Sequence, residues 1–173
     1  MRIETKYGPI LLDEQDAHFL ELGILHAHPS SGNRVYLLKH DYINGKRYQR
    51  KLNLARLIMG LPLKDRQQVV DHIDHNPMNC QRYNMRVCSD MQNSQNRLRN
   101  RNGSSKFKGV CFKGSRSLPW MAQIQVNKEK RYLGNFATEH EAALAYDIAA
   151  ARHFKEFAVL NNVQGAAAQI RPR

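Results

Sequence analysis

The clearest hydrophobic pattern of the chain lies in residues 120–126, WMAQIQV, where four residues on one side alternate with methionine and glutamines on the other. A period of two predicts a β-strand with one buried and one exposed face. Strand-like runs stand on either side of it, FKGVCF at residues 107–112 and KRYLGNF at residues 130–136. Residues 127–130 form the turn into the last run. We therefore expect a three-stranded antiparallel sheet.

A helix is predicted directly after these strands, from about Glu139 to Phe154. Residues 138–141, TEHE, match a capping box, in which the threonine side chain bonds a free amide and a glutamate reaches back to the cap. The helix is rich in alanines, which are small enough to let it lie close to a sheet: Ala142, Ala143, Ala145, Ala149 and Ala150.

The first sixty residues predict a small α/β region. PILLD and RVYLLKH are strand-like, and the acid-rich stretch between them predicts a helix from about residue 13 to residue 22. Asn44-Gly45 predicts a hairpin turn, because this dipeptide tolerates the positive φ angles that tight turns need. NLARLIMG, residues 53–60, predicts a short helix that stops at its glycine.

Residues 69–96 carry signals for a strand, a loop, a second strand and a helix, in that order. VVDHID begins with β-branched residues, NPMN is typical of a loop, and MRVCS is a second strand. Residues 89–92, SDMQ, match a capping box, so a helix is expected to begin there. Asn93 and Asn96 would lie about one turn apart on it.

These elements predict an α+β protein. We divide it into a lead-in that supports the central motif (1–60), the strand-loop-strand-helix motif (61–98), a basic linker (99–105), the sheet-and-helix domain (106–161) and a C-terminal tail (162–173).

Composition places the chain among folded intracellular proteins. Its hydrophobic fraction is 42% and its charged fraction 24%, values typical of a domain with a core. No apolar run approaches the roughly 20 residues that a membrane span needs, and the first residues lack a signal-peptide layout. We expect the cytoplasm. The three cysteines, Cys80, Cys88 and Cys111, form no C-x-x-C pair and are expected as buried apolar groups.

Positive charge is concentrated in the C-terminal half. The net charge is +12, and residues 97–131 hold ten Lys or Arg against one acid, Glu129. Such a density indicates binding to a polyanion. A solvated basic face without a ligand is the alternative.

The Asp-His pair at residues 71–72 suits phosphodiester hydrolysis, which needs a base and a positive charge beside the phosphate. His72 has an ordinary pKa near 6.5, while Asp71 and Asn93 offer oxygen ligands that suit Mg²⁺ or Mn²⁺ better than zinc. Neighbours on a regular strand point to opposite faces, so both can reach one phosphate only if the strand twists or ends there. Asn84 can tie the loop backbone through its amide.

These residues resemble the motif of the His-Asn-His (HNH) endonucleases, and especially of the homing endonucleases of phages and mobile introns. The matching pieces are D-H-I-D at residues 71–74, the asparagine at position 79, N-x-R at residues 84–86 and an asparagine in the following helix. In many members the last position is histidine, whereas this chain has Asn93, as in a phage intron-encoded subgroup.

The resemblance implies a ββα-metal (His-Me finger) module with one Mg²⁺ or Mn²⁺ ion per active site. His72 would be the general base, Asn84 the structural asparagine, and Asp71 and Asn93 the metal ligands. His75 is a rival base and Asp74 a possible second carboxylate. Asn96 is expected at the surface or on a phosphate.

Residues 106–161 resemble the ethylene-response-factor (APETALA-type) DNA-binding domain of plant transcription factors. The matching pieces are F-K-G-V, W-M-A-Q-I, Y-L-G-N-F-A-T, E-H-E-A-A-L-A-Y-D-I-A-A and A-V-L-N. The resemblance implies that the strands bind double-stranded DNA, although several reading positions differ from the plant proteins, so their sequence preference does not transfer. Trp120 is expected in the core.

The candidate DNA contacts are basic, amide and aromatic side chains of two groups. In and beside the linker they are Arg97, Arg99, Arg101 and Lys106. On the exposed face of the sheet they are Lys108, Lys113, Arg116, Gln123, Gln125, Lys130 and Tyr132. Further phosphate contacts from the first sixty residues are expected at Arg47, Arg50, Lys51 and Arg56.

Together the two halves predict a metal-dependent homing-type endonuclease, a monomer or weak dimer, that acts on double-stranded DNA in the cytoplasm of the host of a phage or mobile element and does not bind membranes. The first alternative is a non-catalytic DNA-binding regulator with a decayed nuclease module. The second is RNA binding by the basic sheet.

Overall fold

The computed structural model describes residues 1–28, 32, 34–64, 67–96 and 103–163. The chain divides into two compact units, Met1–Asp90 and Met91–Arg173. Small antiparallel sheets and a few helices make up both, which confirms the α+β class. Among the described residues, no helix is long and apolar enough to cross a membrane.

The first unit is built from short elements. They are β1 (Arg2–Ile3), β2 (Ile10–Leu11), a 3-10 helix (Glu14–Leu22), β3 (Ile24–Ala27), β4 (Val35–Ile43), β5 (Lys46–Asn53), α1 (Leu54–Ile58), β6 (Gln68–His72), a 3-10 helix (Arg82–Asn84) and β7 (Met85–Ser89). β1 pairs with β2, β4 lies between β3 and β5, and β6 pairs with β7, all antiparallel. The acid-rich stretch is a 3-10 helix, and β4 continues beyond the RVYLLKH run.

Local sequence signals explain how several of these elements begin and end. Asn44 and Gly45 have φ angles of 50° and 74°, the positive values that a two-residue hairpin turn requires. Asn53 caps α1, because its side-chain oxygen accepts from the backbone N–H of Arg56 at 3.0 Å. Gly60, with φ at 68°, follows the helix. The predicted hairpin and the predicted short helix are both confirmed.

One hydrophobic core joins the lead-in to the β6–β7 region. Leu37, Leu54 and Cys80 are among its fully buried side chains, and each large apolar side chain that is fully buried contributes about 1.5–3 kcal/mol. The backbone of β2 also holds the loop between β6 and β7, since Leu11 N–H donates to Met78 O at 2.9 Å and Cys80 N–H donates to Leu11 O at 2.8 Å. The lead-in therefore supports the loop directly.

The second unit holds the sheet that the sequence predicts. Its elements are β8 (Val110–Phe112), β9 (Trp120–Val126), β10 (Glu129–Phe136), α3 (Glu139–Phe154) and a 3-10 helix (Lys155–Phe157). A further helix, α2 (Asp90–Gln95), crosses the division between the units. β9 is the central strand, antiparallel to both neighbours. Thr138 and Glu141 form the predicted capping box of α3.

Small residues let α3 lie close to the sheet. Ala142, Ala143 and Ala150 are fully buried. Gly109 has φ at 77°, and a Cβ atom there would lie 1.9 Å from the ring of Tyr146, so only glycine fits without a shift. Trp120 packs beside this core, with its ring centroid 5.1 Å from that of Phe112, in agreement with its predicted place.

Candidate active site

The end of β6 places the Asp-His pair at the mouth of a loop. In the ladder, Asp71 lies opposite Arg86 and His72 lies opposite Met85. His72 is the last residue of β6, and the chain turns at once, with His75 N–H donating to His72 O at 3.0 Å. β6 therefore ends directly after His72. This is one of the two conditions under which the side chains of Asp71 and His72 could reach the same phosphate.

Asp71 is held by an arginine. Its carboxylate is 5% exposed, and its Oδ2 atom lies 2.8 Å from Nε of Arg86. The N-x-R motif includes Arg86 but gave it no predicted role. In the ladder Arg86 lies opposite Asp71, where its guanidinium pairs with the carboxylate. A carboxylate can accept about four contacts, so the ion pair and a cation ligand are compatible, although the guanidinium charge competes with a metal.

His72 lies in a half-buried position that favours its neutral form. Its Nε2 atom is shielded from solvent, and burial is the largest cause that lowers the pKa of His72 below its ordinary value. The carboxylates of Asp74 and Asp71 act in the opposite direction but do not cancel it. A histidine that is neutral at neutral pH can accept a proton from water, as a general base must.

Asn84 connects both sides of the loop. Its Oδ1 accepts from Asp74 N–H at 3.0 Å, and its Nδ2 donates to Asp74 Oδ1 and to Asn79 O, both at 2.9 Å. The side chain is 3% exposed. The backbone carbonyl of Asn84 also accepts from Ile73 N–H at 2.8 Å. These bonds are the loop ties that we expected of this asparagine, while its part in catalysis stays a prediction.

Asp74 acts as the acceptor at the centre of the same loop. It accepts from Asn76 N–H at 2.8 Å and from Asn79 Nδ2 at 2.8 Å, besides Asn84. Burial acts to raise the pKa of Asp74, but these hydrogen bonds outweigh it and the pKa is lowered. The carboxylate therefore stays ionised and is used to order the loop, which differs from the role of a second catalytic carboxylate.

Two aspartates at the start of the first 3-10 helix, Asp13 and Asp16, bind the loop between β6 and β7 through Gln81 and Arg82. The guanidinium of Arg82 donates to both oxygens of Asp16, at 2.8 and 2.6 Å, and Asp16 is 1% exposed. Asp13 accepts from the backbone N–H of Arg82 at 2.8 Å and from Gln81 Nε2 at 3.3 Å. Sequence reasoning missed this clamp, because its partners stand more than sixty residues apart and nothing in either segment names the other.

The remaining polar residues of the motif differ in their surroundings. His75 is exposed and has a positive φ of 60°. Asn93 is half-buried on α2, within the second unit. Asn96 is 7% exposed, so the expectation of a surface residue is wrong for it, and its backbone N–H donates to Gln92 O at 3.3 Å.

The chemistry of the predicted ligands fits a magnesium-like ion. Within the described ranges, no group of three or more His, Cys, Asp or Glu side chains is arranged to hold a metal. Asp71 and Asn93 are a smaller set, one carboxylate and one amide. Mg²⁺ keeps several of its waters and often takes only one or two carboxylates from a protein, whereas a structural zinc site is closed by protein ligands.

The outer face of the β8–β10 sheet gathers four of the predicted DNA contacts. We call this the reader face and define it as Gln123, Gln125, Lys130 and Tyr132. Lys130 lies opposite Gln125, and Tyr132 lies opposite Gln123, in the β9–β10 ladder. Residues opposite each other share a face, and the alternate residues Ala122, Ile124 and Val126 are buried on the α3 side. The predicted alternation of β9 is confirmed.

Lys108 is not on this face. It is half-buried, its Nζ donates to Gln95 O at 2.7 Å and lies 6.0 Å from the centroid of the Tyr146 ring, and burial lowers its pKa to about 8. Its backbone is fixed by Asn161, which accepts from Lys108 N–H at 2.7 Å. The prediction of exposure is wrong because this lysine fills space beside an aromatic ring.

The other predicted contacts are exposed or undescribed. Lys113 and Arg116 are exposed between β8 and β9, and Lys106 is exposed with its Nζ 5.0 Å from the centroid of the Phe107 ring. Arg97, Arg99 and Arg101 lie outside the described residues. The cysteines agree with their predicted place in part: Cys80 and Cys88 are buried, and Cys111 is half-buried. Burial raises the pKa of Cys80 to about 12.

Comparison with known proteins gives one relevant similarity. The chain is 33% identical over 116 residues to an uncharacterized HNH endonuclease of Acanthamoeba polyphaga mimivirus, and the match covers 65% of this chain. It spans 59% of the length of that relative. No protein-family model matches the chain. No solved structure matches it either. The name of the relative agrees with the resemblance of the β6–β7 motif.

Proposed function

We propose that the protein is an HNH-type DNA endonuclease that hydrolyses phosphodiester bonds at the end of β6. The observation that carries the proposal is the hydrogen-bonded loop around Asn84, which follows a half-buried histidine at the end of a strand, next in the chain to a buried aspartate. The name of the mimivirus relative supports the same class.

His72 would take the proton from the attacking water. Burial lowers the pKa of His72, which favours the neutral imidazole that can accept a proton, and a positioned general base contributes roughly a hundred- to ten-thousand-fold to the rate. Asn84 does not touch the substrate in this scheme. It holds the loop that follows His72, so that the imidazole is placed before the substrate arrives.

A divalent cation such as Mg²⁺ or Mn²⁺ would be held by Asp71 and Asn93. When bound, it would neutralise negative charge on the phosphate and on the departing oxygen. Arg86 would help to orient that ligand, since its Nε atom lies 2.8 Å from Oδ2 of Asp71 in the ladder. His72 follows Asp71 directly, at the last position of β6.

The second unit would supply affinity for double-stranded DNA. Its reader face presents amides, a cation and a tyrosine on one side of the sheet, and Lys113 and Arg116, which are exposed between β8 and β9, add positive charge to the same unit. Lysine and arginine contacts to phosphate give salt-dependent binding, whereas glutamine side chains can bond base edges.

A plasmid-nicking assay tests the proposal. Wild type with Mg²⁺ or Mn²⁺ is expected to convert supercoiled plasmid to nicked or linear product, and His72→Asn to be slower by about a hundredfold or more. His75→Asn is the matched control, since asparagine tolerates the positive φ of that position; it is expected to cleave like wild type.

The outcomes separate the alternatives. If wild type and His72→Asn are equally inert while both bind DNA, the protein is a non-catalytic DNA-binding regulator. If His75→Asn is the inert variant, the general base is misassigned. If structured RNA competes at least as well as duplex DNA for binding, the second unit is an RNA-binding domain.

A further inference from the structure

The β4–β5 hairpin extends well beyond the sheet to which it belongs. β3 pairs with β4 only from Val35 to Leu38, whereas β5 pairs with β4 as far as the turn. Residues 39–50, which we call the ribbon, therefore form a two-stranded ladder, and no third strand pairs with it among the residues that the structure describes. Five cross-strand pairs at about 3.4 Å per residue give it a length of roughly 17 Å.

The ribbon is preformed although it has no core of its own. Two-stranded ladders are marginally stable in water by themselves. Here the turn at Asn44-Gly45 has the φ angles that suit a tight hairpin, and at the other end Val35, Leu37 and Leu52 are buried in the core of the first unit. A rigid ladder can bind a partner without losing much conformational freedom.

The two faces of the ribbon differ in chemistry. The ladder places His40 opposite Gln49 and Tyr42 opposite Arg47, with Lys51 next along the same side. We call this side the His40 face, and it carries no acid. The other side, the Asp41 face, carries Lys39, Arg50, Asp41, Tyr48, Ile43 and Lys46. There Asp41 accepts from Nε of Arg50, so this acid and one cation offset each other.

Polar groups on the His40 face are already ordered. Nη2 of Arg47 donates to Nε2 of His40 at 2.8 Å, and Nε2 of Gln49 lies 3.0 Å from the same atom. Next to them the side chain of Tyr42 is 72% exposed. The exposed tyrosine, the arginine and the glutamine together suit contacts with base edges and phosphates.

We propose that the ribbon is a second DNA-binding element, which enters the major groove of double-stranded DNA with its His40 face toward the bases. The groove is about 12 Å wide and admits a two-stranded ribbon. The deep, narrow major groove of duplex RNA does not. The inference rests on the proposed function only in taking DNA as the ligand, and it requires no cleavage.

Matched charge variants test the proposal in the full chain. The probe is a fluorescent 30-base-pair duplex of mixed sequence, a length of about three helical turns, and EDTA is present so that no metal-dependent cleavage occurs. Arg47→Gln with Lys51→Gln removes two cations from the His40 face. Lys39→Gln with Lys46→Gln removes two from the Asp41 face and is the control with the same net charge.

The His40-face double variant is expected to bind more weakly and to lower the slope of log affinity against log salt by about 1.8, since each lost phosphate contact lowers it by about 0.9. The control is expected to change the slope by less than half of that value. If the two double variants change the affinity and the slope equally, the ribbon acts only through its overall positive charge and its His40 face does not bind DNA specifically. If neither variant changes them, the ribbon does not contact DNA.

A pair of uncharged variants separates groove contact from charge. Tyr42→Ala is expected to weaken binding with an unchanged salt slope, whereas Tyr48→Ala, on the Asp41 face, is expected to bind like wild type. Circular dichroism is used to check that each variant is folded, and we expect no change because both tyrosines are exposed. If duplex RNA of the same length loses as much affinity as DNA in the His40-face variant, the ribbon is not a duplex-DNA element.

The result is independent of the nuclease proposal. Unchanged binding by all ribbon variants, together with metal-dependent nicking by wild type, would overturn the ribbon and leave the nuclease standing. If the ribbon variants lose affinity as expected but the wild-type protein never nicks DNA, the ribbon proposal stands and the nuclease proposal is overturned.

Discussion

The β6–β7 loop and the outer face of the β8–β10 sheet are both polar, but they use their polar side chains in opposite ways. In the loop, Asn79 and Asn84 are 6% and 3% exposed and bond to the backbone and to Asp74. On the reader face, Gln125, Lys130 and Tyr132 point to solvent, while the buried alternate residues hold the strand.

The difference teaches where polar residues contribute stability and where they are free for recognition. A buried amide must have its hydrogen bonds, because an unsatisfied one costs about 1–3 kcal/mol. Its replacement should therefore damage the fold as well as the activity. An exposed side chain on a sheet held from its other face can be replaced without that cost, so its loss should affect binding alone.

Asn84→Asp should have the largest effect on the fold. The new carboxylate keeps the shape but replaces the amide donor that now lies 2.9 Å from both Asp74 Oδ1 and Asn79 O. Two lost bonds and a repulsion between carboxylates should lower the free energy of unfolding by about 3 kcal/mol. Urea denaturation measures it. Asn76→Asp is the control: its Oδ1 only accepts, from Met78 N–H, so stability should hardly change.

Arg82→Gln should have a smaller effect on stability, of roughly 2 kcal/mol. Asp16 is 1% exposed and loses its ion-pair partner, and a buried charge without a partner is costly; the half-exposed arginine lets water reduce the cost. Arg82→Lys should recover part of the loss. The control, Arg2→Gln, removes the exposed pair with Glu4 and should change nothing measurable. Equal losses at both sites would mean that the clamp adds no more than a surface pair.

Lys108 predicts a dependence of stability on pH within the second unit. Its pKa is lowered by burial from 10.5 to about 8, so above pH 8 the unfolded chain holds the proton longer than the folded one. The free energy of unfolding should rise with pH between about 8 and 10.5, by about 1 kcal/mol at most once solvent screening is allowed for. Denaturation of wild type and Lys108→Met below pH 9.5, roughly where tyrosines begin to titrate, should show the rise only in wild type.

Lys130→Gln should give the smallest effect and no loss of stability. If the reader face binds phosphate, the slope of log affinity against log salt should fall by about 0.9. Arg152→Gln on α3 changes the charge equally but on an exposed position of the helix behind the sheet, and its slope should stay that of wild type. Equal slopes for both variants would mean that the outer face of the sheet is not the one that binds DNA.

Strong local signals predicted most of the elements. The alternation of β9, the capping box of α3, the Asn44-Gly45 turn and the Asn53-capped helix each depend on residues within a few positions of one another. The order strand, loop, strand, helix around the Asp-His pair followed from the same kind of evidence. Signals of this range are strong because their hydrogen bonds close within one turn or one ladder step.

Errors arose where a side chain's surroundings come from distant segments. Lys108 was expected on an exposed face, but Tyr146 of α3 and Gln95 of α2 enclose it. Asn96 was expected at the surface and is buried. In both cases the residue type predicts exposure, and only packing against an element elsewhere in the chain reverses it.

The sequence by itself determined the elements, the polar character of the Asp-His loop and the basic second half, and it predicted the class of chemistry that a histidine beside oxygen ligands can perform. Only the tertiary structure decided which groups hold that site: Asp16 on Arg82, Arg86 on Asp71 and Asn84 across the loop. The physical reason is range. Propensity and capping act between neighbours, whereas an ion pair between residues 66 positions apart exists only once the chain has folded around it.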